Sequence, residues 1–577
     1  MSLNPFTPTE EQAQVVGHEG SAFVTACPGA GKTRVLVERA RLLLRSRAQG
    51  KGIAFISFTN AAVSELEQRL RQEGVLRWPA FPHFIGTFDG FLWQFLISPF
   101  GVPGCKTSPR LIPDKDQRIV RPSEKHRPLP LACFDRLSGE IIPEAAKRLR
   151  FDPAENPGRT KAYVTTAAAA RARFLQRGEL DFAEVRMLAV DYLKDGNRSS
   201  RLAGALAARF SEVIVDEAQD CNPEDIRIIW WLRDAGISTK VICDPHQSIY
   251  SFRGGVTNEL MTFGQTFKRE DRLSISGNFR SSDSICRATH ALRPADTDTP
   301  PDRPLGDHRS VKTPVHVFAY HGQVAAAIGE RFRELVEAEG LDLSRCPVLA
   351  ATKRSGARAI GLPFEDSAED LTLRLALAVS GFHFAFESGN RREHLEAVHR
   401  VVLDIEGRLS QKTYHQYLVA EAIDLADWRP RILALVRELR YCPDLFPDPD
   451  AWLARARALL AAHLPPGGQS IAQRLRRNGG LDAALAIPPL TAPSAQTIHA
   501  VKGMEFPGVC VVMTTATTSQ ILDCLEAGSN YSEDARKIYV AASRAERLLA
   551  IAAPQKHAER LAARLRDSGA PVTMHKI

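Results

Sequence analysis

Residues 26–33, Ala-Cys-Pro-Gly-Ala-Gly-Lys-Thr, make a glycine-rich turn that closes on Lys32 and Thr33. Such a turn can cradle phosphate: backbone N–H groups point inward, a lysine reaches the outer phosphates and a threonine hydroxyl ligates Mg²⁺. The required setting is present, since AFVTA before it reads as a strand and KTRVLVERARLLL after it as a helix. Ala26 stands where the pattern's first glycine usually falls, but the turn needs glycine most at Gly29 and Gly31. Further on, EVIVDEAQD (212–220) is an apolar run ending in paired acids. Asp216 is expected to hold Mg²⁺ through water, and Glu217 to orient and deprotonate an attacking water. Together these features point to hydrolysis of a nucleoside triphosphate.

Such groups must be held by strands that end side by side. Short β-branched runs at residues 22–26, 53–57, 83–86, 213–215 and 241–243 alternate with helical stretches such as 34–45, and a second set lies at 315–318, 348–351, 509–513 and 548–552. Alternation of this kind predicts parallel sheets covered on both faces, hence an α/β fold with two sheet domains. Each is interrupted by a stretch lacking the pattern. The expected division is 1–90 with 196–275 for the first sheet domain, 91–195 for its insertion, 276–360 with 491–577 for the second, and 361–490 for a mainly helical insertion. The first insertion opens on a basic, proline-rich segment containing Lys106, Arg110, Lys115, Arg118, Arg121, Lys125 and Arg127. Contact with duplex phosphates and an exposed, solvated loop are equally open for it.

At 577 residues, with 44% hydrophobic and 25% charged side chains, the chain exceeds what a single core supports. No apolar run reaches the length of a membrane span, and MSLNPFTPTEEQ lacks the marks of a secretory leader, so no membrane association and a cytoplasmic location are expected. Ten scattered cysteines without a CxxC pair argue against a zinc ribbon or an iron–sulfur cluster. A net charge of +8 suits a polyanionic partner.

The string VDEAQD resembles motif II of the UvrD/Rep/PcrA group of superfamily 1 helicases, and the group's other motifs follow in order. FTPTEEQ resembles the adenine-reading Q motif, SFTNAAVSEL motif Ia and GTFDGF motif Ib. CDPHQSIYSFRGG is similar to motif III, GNFRSS to motif IV, TIHAVKGMEF to motif V and DARKIYVAASRAE to motif VI. The resemblance implies two RecA-like motor domains, ATP with Mg²⁺ as cofactors, and single-stranded DNA and DNA junctions as partners. It implies catalytic roles for Glu217, for the γ-phosphate sensor Gln247 and for the arginine fingers Arg280 and Arg544. Nucleotide contacts are implied for Gln12, Cys27, Pro28, Gly29, Ala30, Gly31, Lys32, Thr33, Arg34, Phe279 and Glu505, and metal contacts for Thr33 and Asp216. Single-strand contacts are implied for Phe58, Thr59, Asn60, Thr87, Phe88, Tyr250, Phe252, Arg253, Thr497 and His499.

The sequence departs from the group at several points. Asp89 replaces a usual histidine, Ala61 a lysine, Phe252 a tryptophan and the residue before Asp244 is Cys243 rather than glycine. A carboxylate at 89 and a lost cation at 61 are expected to weaken phosphate contacts along a strand. The leading expectation is an ATP-dependent translocase and 3′–5′ DNA helicase. The alternative is a nucleic-acid-stimulated ATPase subunit of a larger complex, acting as sensor or regulator beside a nuclease, because a UvrD-like chain with such compact insertions resembles the helicase-like subunit of the Gabija anti-phage system. A P-loop kinase or small-molecule ATPase would leave the later motifs unexplained.

Overall fold

The computed structural model describes residues 7–45, 50–76, 79–136, 138–149, 151–155, 157–249, 257–294, 302–361, 370–388, 391–409, 412–442, 444–485, 493–528 and 532–577. Within them the chain divides into two units, Met1–Leu96 with Arg186–Phe364 and Pro488–Ile577, and Ile97–Val185 with Glu365–Ile487.

The first unit holds two six-stranded parallel sheets. One is built from β1 (Ala22–Ala26), β2 (Gly52–Ser57), β3 (Phe84–Thr87), β4 (Phe210–Val215), β5 (Thr239–Cys243) and β6 (Arg272–Ile275), in the order β6-β1-β5-β4-β2-β3. The other comprises β7 (Val315–Tyr320), β8 (Val348–Ala350), β9 (Ala495–Thr497), β10 (Phe506–Val512), β11 (Ala545–Pro554) and β12 (Val572–Lys576), ordered β9-β8-β10-β11-β7-β12. Alternate residues of the second sheet feed different cores. Val315, Val317, Val509, Val511, Leu549 and Ile551 pack on one face, while Phe318, Cys510, Val512, Leu548 and Ala550 pack on the other. Burial on both sides is why these strands read as continuous apolar runs.

Strands β6, β9 and β12 were not among the expected elements. All three are sheet edges, with the polar sequences RLSI, AQT and VTMHK. An edge strand buries less side chain, so periodicity gives it no apolar signature. Helices Lys32–Arg45, Asn60–Gln72 and Pro223–Asp234 come after β1, β2 and β4, supplying the crossovers that parallel strands need.

The second unit contains both insertions, with boundaries of 97–185 and 365–487 rather than 91–195 and 361–490. Residues up to 96 stay with the first sheet because Phe91 and Phe95 pack their rings on Phe84, and Phe95 also meets Phe210 at 5.3 Å. Its 365–487 part is helical. Leu371–Ser388, Arg391–Ile405, Leu425–Glu438 and Pro449–Ala461 surround a core that includes Trp428 and the fully buried Trp452. The 97–185 part has two short strand pairs and the helix Pro157–Gln176 around Tyr163 and Phe134. Lys115 corrects one reading of the basic segment. It is fully buried, donates to the Glu179 carbonyl at 3.0 Å and pairs with Glu184, whereas Lys106, Arg110, Arg121, Lys125 and Arg127 are not buried. Among the described residues no helix is long and apolar enough to cross a membrane.

The two insertions meet at Asp114. Its buried carboxylate accepts from Thr413 Oγ1 at 2.7 Å and from the His415 backbone N–H at 3.2 Å, at the N-terminus of helix Tyr414–Ala420. A negative charge is favoured there by the helix dipole. Burial works to raise the carboxyl's pKa, but hydrogen bonds from His415 and Thr413 hold it below its ordinary value. A depressed folded pKa gives stability that is present above the unfolded value and lost as pH falls through the folded one. Asp114→Ala is therefore expected to destabilise the insertion unit by about 1–3 kcal/mol at neutral pH. Limited proteolysis and thermal melting should show the difference from the parent shrinking below about pH 4.

Candidate nucleotide and strand site

The P-loop continues directly from β1. Gly29 and Gly31 have φ of +69° and +71°, the left-handed region that only glycine adopts without strain. A Cβ on Gly29 would lie 2.6 Å from Asn278 Oδ1 and 2.7 Å from Arg280 Cβ, and Phe279 N–H donates to the Gly29 carbonyl at 2.8 Å. The turn is thus seated against the segment that leads into the second sheet.

A cleft of about 280 Å³ opens over this turn. Pro28, Gly29, Ala30, Gly31, Lys32, Thr33, Arg34, Asp216, Glu217, Gln247, Phe279, Arg280, Glu505 and Arg544 all line it. The expected catalytic and metal residues, and all but two of the expected nucleotide contacts, therefore converge. The exceptions are Gln12 and Cys27, which lie behind the turn. Gln12 is 1% exposed, and its amide donates to the Ala30 carbonyl at 2.9 Å and accepts from Thr9 N–H at 3.0 Å, so it braces the P-loop. Cys27 N–H donates to the Ile275 carbonyl at 3.0 Å, and burial pushes its thiol pKa well up.

Lys32 Nζ lies 2.7 Å from Glu217 Oε1. Burial opposes the lysine's charge, but Glu217 and Asp216 outweigh it and raise its pKa. Glu217 in turn is kept below the ordinary carboxylate range: burial raises it, but Lys32 and Lys502 pull it down. Burial lifts Asp216 above that range despite Lys32. Glu217 has φ 56°, a strained conformation for a residue with a Cβ, and Gln219 Nε2 donates to its second oxygen. The carboxylate is held from both sides.

Groups from the second sheet reach across. Arg544, just before β11, donates from NH2 to Gln247 Oε1 at 2.8 Å, while Gln247 Nε2 donates to Asp244 Oδ2 at 2.9 Å. Burial lowers the Arg544 pKa to about 10, which leaves it charged at neutral pH. Lys502 donates to both oxygens of Asp220 at 2.6 Å and to the Gln247 carbonyl at 3.0 Å. Arg280 instead engages Glu505 through Nε at 2.8 Å and the Ser543 carbonyl through NH1 at 2.7 Å, so Arg280 and Glu505 hold each other. Sequence reasoning gave no role to Lys502, Asp220, Gln219 or Asp244, although each lies inside a quoted motif. Each acts through a tertiary arrangement that no local spacing reveals.

The donor set fits a magnesium–nucleotide complex. Thr33 and Asp216 offer the hard oxygen donors that Mg²⁺ prefers, and the helix N-terminus at Lys32 suits phosphate. Phe279 is 37% exposed beside Gly31, leaving ring surface free for a base.

The strand residues divide differently. Phe58 and Phe88 stack on each other at 5.1 Å and 16°, but Phe88 is 1% exposed and belongs to the core, which corrects its reading as a base platform. Thr59 and Thr87 cap the helices after them, accepting from Ala62 N–H at 3.2 Å and Gly90 N–H at 3.1 Å, and Thr59 lines the nucleotide cleft. Asn60 is exposed and Thr497 half-buried at the end of β9. His499 Nε2 bonds the Ile249 carbonyl at 3.0 Å. Tyr250, Phe252 and Arg253 lie outside the described residues. Asp89 pairs with Arg186 at 2.6 Å, which also binds the buried Asp225 at 2.7 Å. The carboxylate expected to repel phosphate is neutralised within the protein.

Residues 8–268 match the UvrD/REP helicase N-terminal domain, and residues 494–556 match the UvrD-like helicase C-terminal domain. The chain is 29% identical over 311 residues to the ATP-dependent DNA helicase UvrD1 of Mycobacterium tuberculosis (strain ATCC 25618 / H37Rv), a match covering 50% of this chain and 39% of that protein. It is 25% identical over 297 residues to the ATP-dependent DNA helicase PcrA of Bacillus subtilis (strain 168), again 50% and 39%. The matched stretch thus spans well under half the length of these relatives.

Gly29→Ala places a Cβ against Asn278 and Arg280 in a left-handed turn. Per folded molecule it is expected to weaken binding of a fluorescent ATP analogue by about ten-fold or more, with a fall in melting temperature from the strain in the turn. Unchanged affinity would mean that this turn does not hold the nucleotide.

Proposed function

We propose that this chain, which carries the N- and C-terminal domains of the UvrD-like helicases, hydrolyses ATP in the cleft between its two sheets to step along single-stranded DNA. The observation that carries this reading is the meeting of Arg544 from the second sheet with Gln247 from the first, in the cleft that also holds Lys32 and Glu217. A guanidinium delivered from the opposite side makes hydrolysis depend on how the two sheets close, which is how chemistry becomes movement.

In this reading the outer phosphates draw Lys32 away from Glu217, and the freed carboxylate orients the attacking water and takes its proton. Glu217 is ionised at neutral pH and Gln219 keeps it aimed. Arg544 and, once released from Glu505, Arg280 neutralise charge building on the transferring phosphoryl group. Thr33 and Asp216 would hold Mg²⁺, which supplies charge neutralisation on the phosphate oxygens. The exposed Phe279 ring supports stacking on the base, with Gln12 fixing the turn beside it.

Phe58, backed by the buried Phe88 ring, supports stacking of a strand base, alongside Asn60, Thr497 and the capping hydroxyl of Thr87. Movement 3′ to 5′ and unwinding of duplex at junctions are the finer part of the proposal. A sensor subunit working beside a nuclease draws no support from the two matched domains, and strand displacement by the isolated chain separates the two readings.

Glu217→Gln is expected to keep nucleotide and DNA binding while lowering DNA-stimulated ATP turnover by about 10²–10⁴-fold. Near-normal hydrolysis would remove Glu217 from the reaction. Strand displacement on substrates with either overhang is expected only from the 3′ one, and unwinding from a 5′ overhang would reverse the assigned polarity.

A further inference from the structure

Behind the contact between Gln247 and Arg544 lies a buried polar chain that none of the assigned roles uses. Gln247 Nε2 donates to Asp244 Oδ2 at 2.9 Å, and the same oxygen accepts from the Tyr539 hydroxyl at 3.3 Å. Arg293 NH2 donates to the Tyr539 oxygen at 3.2 Å and is itself ion-paired with Asp302. Asp244, Tyr539, Arg293 and Asp302 are all more than nine-tenths buried. Asp244 belongs to the loop after β5, whereas Tyr539 lies on helix Glu533–Ala542, which leads straight into Arg544. The chain crosses from one sheet's elements to the other's.

Its donors and acceptors allow only one direction. Arginine can only donate, so the Tyr539 oxygen accepts from Arg293 and spends its own proton on Asp244. Asp244, an acceptor, then fixes which end of the Gln247 amide faces it. The N–H₂ must point to the carboxylate and the oxygen to Arg544. A flipped amide would set oxygen against Asp244 and N–H against the guanidinium, two repulsive contacts in a buried site. Asp244 is held further by His246 N–H at 3.0 Å on Oδ1 and, through its own N–H, by Gln219 Oε1 at 3.0 Å. The Tyr539 ring packs edge-on against His246 at 5.7 Å, which sets the hydroxyl's position.

We infer that Tyr539 is a positioning residue for ATP hydrolysis: its hydroxyl, oriented by the Arg293–Asp302 pair, holds Asp244 so that Gln247 presents its amide oxygen to Arg544. The inference rests on the ATP hydrolase reading above and adds a further tie between the sheets. The sensor on one side is aligned by the helix that delivers the arginine on the other, so sensing and finger placement move together.

The test compares the full chain with Tyr539→Phe, Gln247→Ala and the double variant, measuring kcat and KM for ATP at saturating single-stranded DNA, with melting temperatures alongside. Tyr539→Phe removes one oxygen and is expected to lower kcat about ten-fold while KM stays within about two-fold. The double variant should turn over no more slowly than Gln247→Ala alone, because the hydroxyl acts only through that side chain. Replacing Tyr539 by 3-fluorotyrosine, which keeps a hydroxyl that both donates and accepts at the same place, should hold kcat near the parental value. An unchanged kcat in Tyr539→Phe, a loss that multiplies with that of Gln247→Ala, or a fall in melting temperature with normal turnover per folded molecule would each overturn the inference. If Tyr539→Phe does not fold, replacement by 4-fluorophenylalanine, which fills the hydroxyl's place without a proton to donate, is read instead, and near-parental kcat there would overturn the inference equally. Absence of ATP hydrolysis by the parent chain would instead overturn the ATP hydrolase reading.

Discussion

Parallel pairing makes every strand finish on the same edge of its sheet, and the cleft is assembled from the loops just beyond those strand ends. In the first sheet β1 runs into the P-loop, β4 into Asp216 and Glu217, and β5 into Asp244 and Gln247. These three strands are adjacent, with β5 between β1 and β4. At a strand spacing of about 4.8 Å, the glycine turn, Gln247 and the acid pair fall within about 10 Å of one another. Strand order therefore brings together residues 32, 217 and 247, which the chain separates by long intervals. The second sheet contributes from the opposite edge, where its strands begin. Its cleft groups come from the turns before β10 and β11, where Lys502, Glu505 and Arg544 precede their strands.

Such an edge gathers charge, and charge is costly to bury unless it is paired. Six cationic side chains line the cleft, Lys32, Arg34, Arg69, Arg280, Lys502 and Arg544, against the four carboxylates Glu65, Asp216, Glu217 and Glu505. The surplus of cations is what an anionic ligand would satisfy. Pairing also displaces the pKa values in opposite directions. Lysines 32 and 502 hold Glu217 ionised, whereas Asp220 rises to about 6 because burial outweighs the pull of Lys502. Two carboxylates in one short loop thus have pKa values displaced in opposite directions because the balance of burial and nearby cations differs between them.

This balance explains what could be read from the sequence. The P-loop and the DEAQD run carry their own context, since a strand, a glycine turn and a helix are local, and Lys32, Thr33, Asp216 and Glu217 all reach the cleft. The central strands were legible because both faces are buried, and β6, β9 and β12 were not, because edges need little apolar surface. Partnerships were the hidden part. Asp89 reads as a charge on the strand path until Arg186, far along the chain, is placed against it. Phe88 reads as a base platform, but the ring of Phe58 already covers it. Lys115 sits in a basic run, yet Glu184 draws it into the core. In each case a tertiary partner decides the outcome, and residue type at one position carries no information about it.

The same logic bears on what the cleft demands of a ligand. Lys32 and Arg280, cations on either side of the P-loop turn, are each engaged by a carboxylate of the cleft wall, Glu217 and Glu505. A phosphate must compete with those carboxylates, so its affinity is the difference between two ion pairs and not the strength of one. The exchange is productive because it is local. In the proposed reaction, drawing Lys32 forward would uncover Glu217, the carboxylate proposed to activate water, and drawing Arg280 forward would uncover Glu505 in the same cleft as the Phe279 ring. A ligand with negative charge at one end only can open one of these pairs. In the proposed reading a triphosphate, extended across both sheets' contributions, would open both, and the intramolecular pairs would then discriminate by length of charge as well as by its sign.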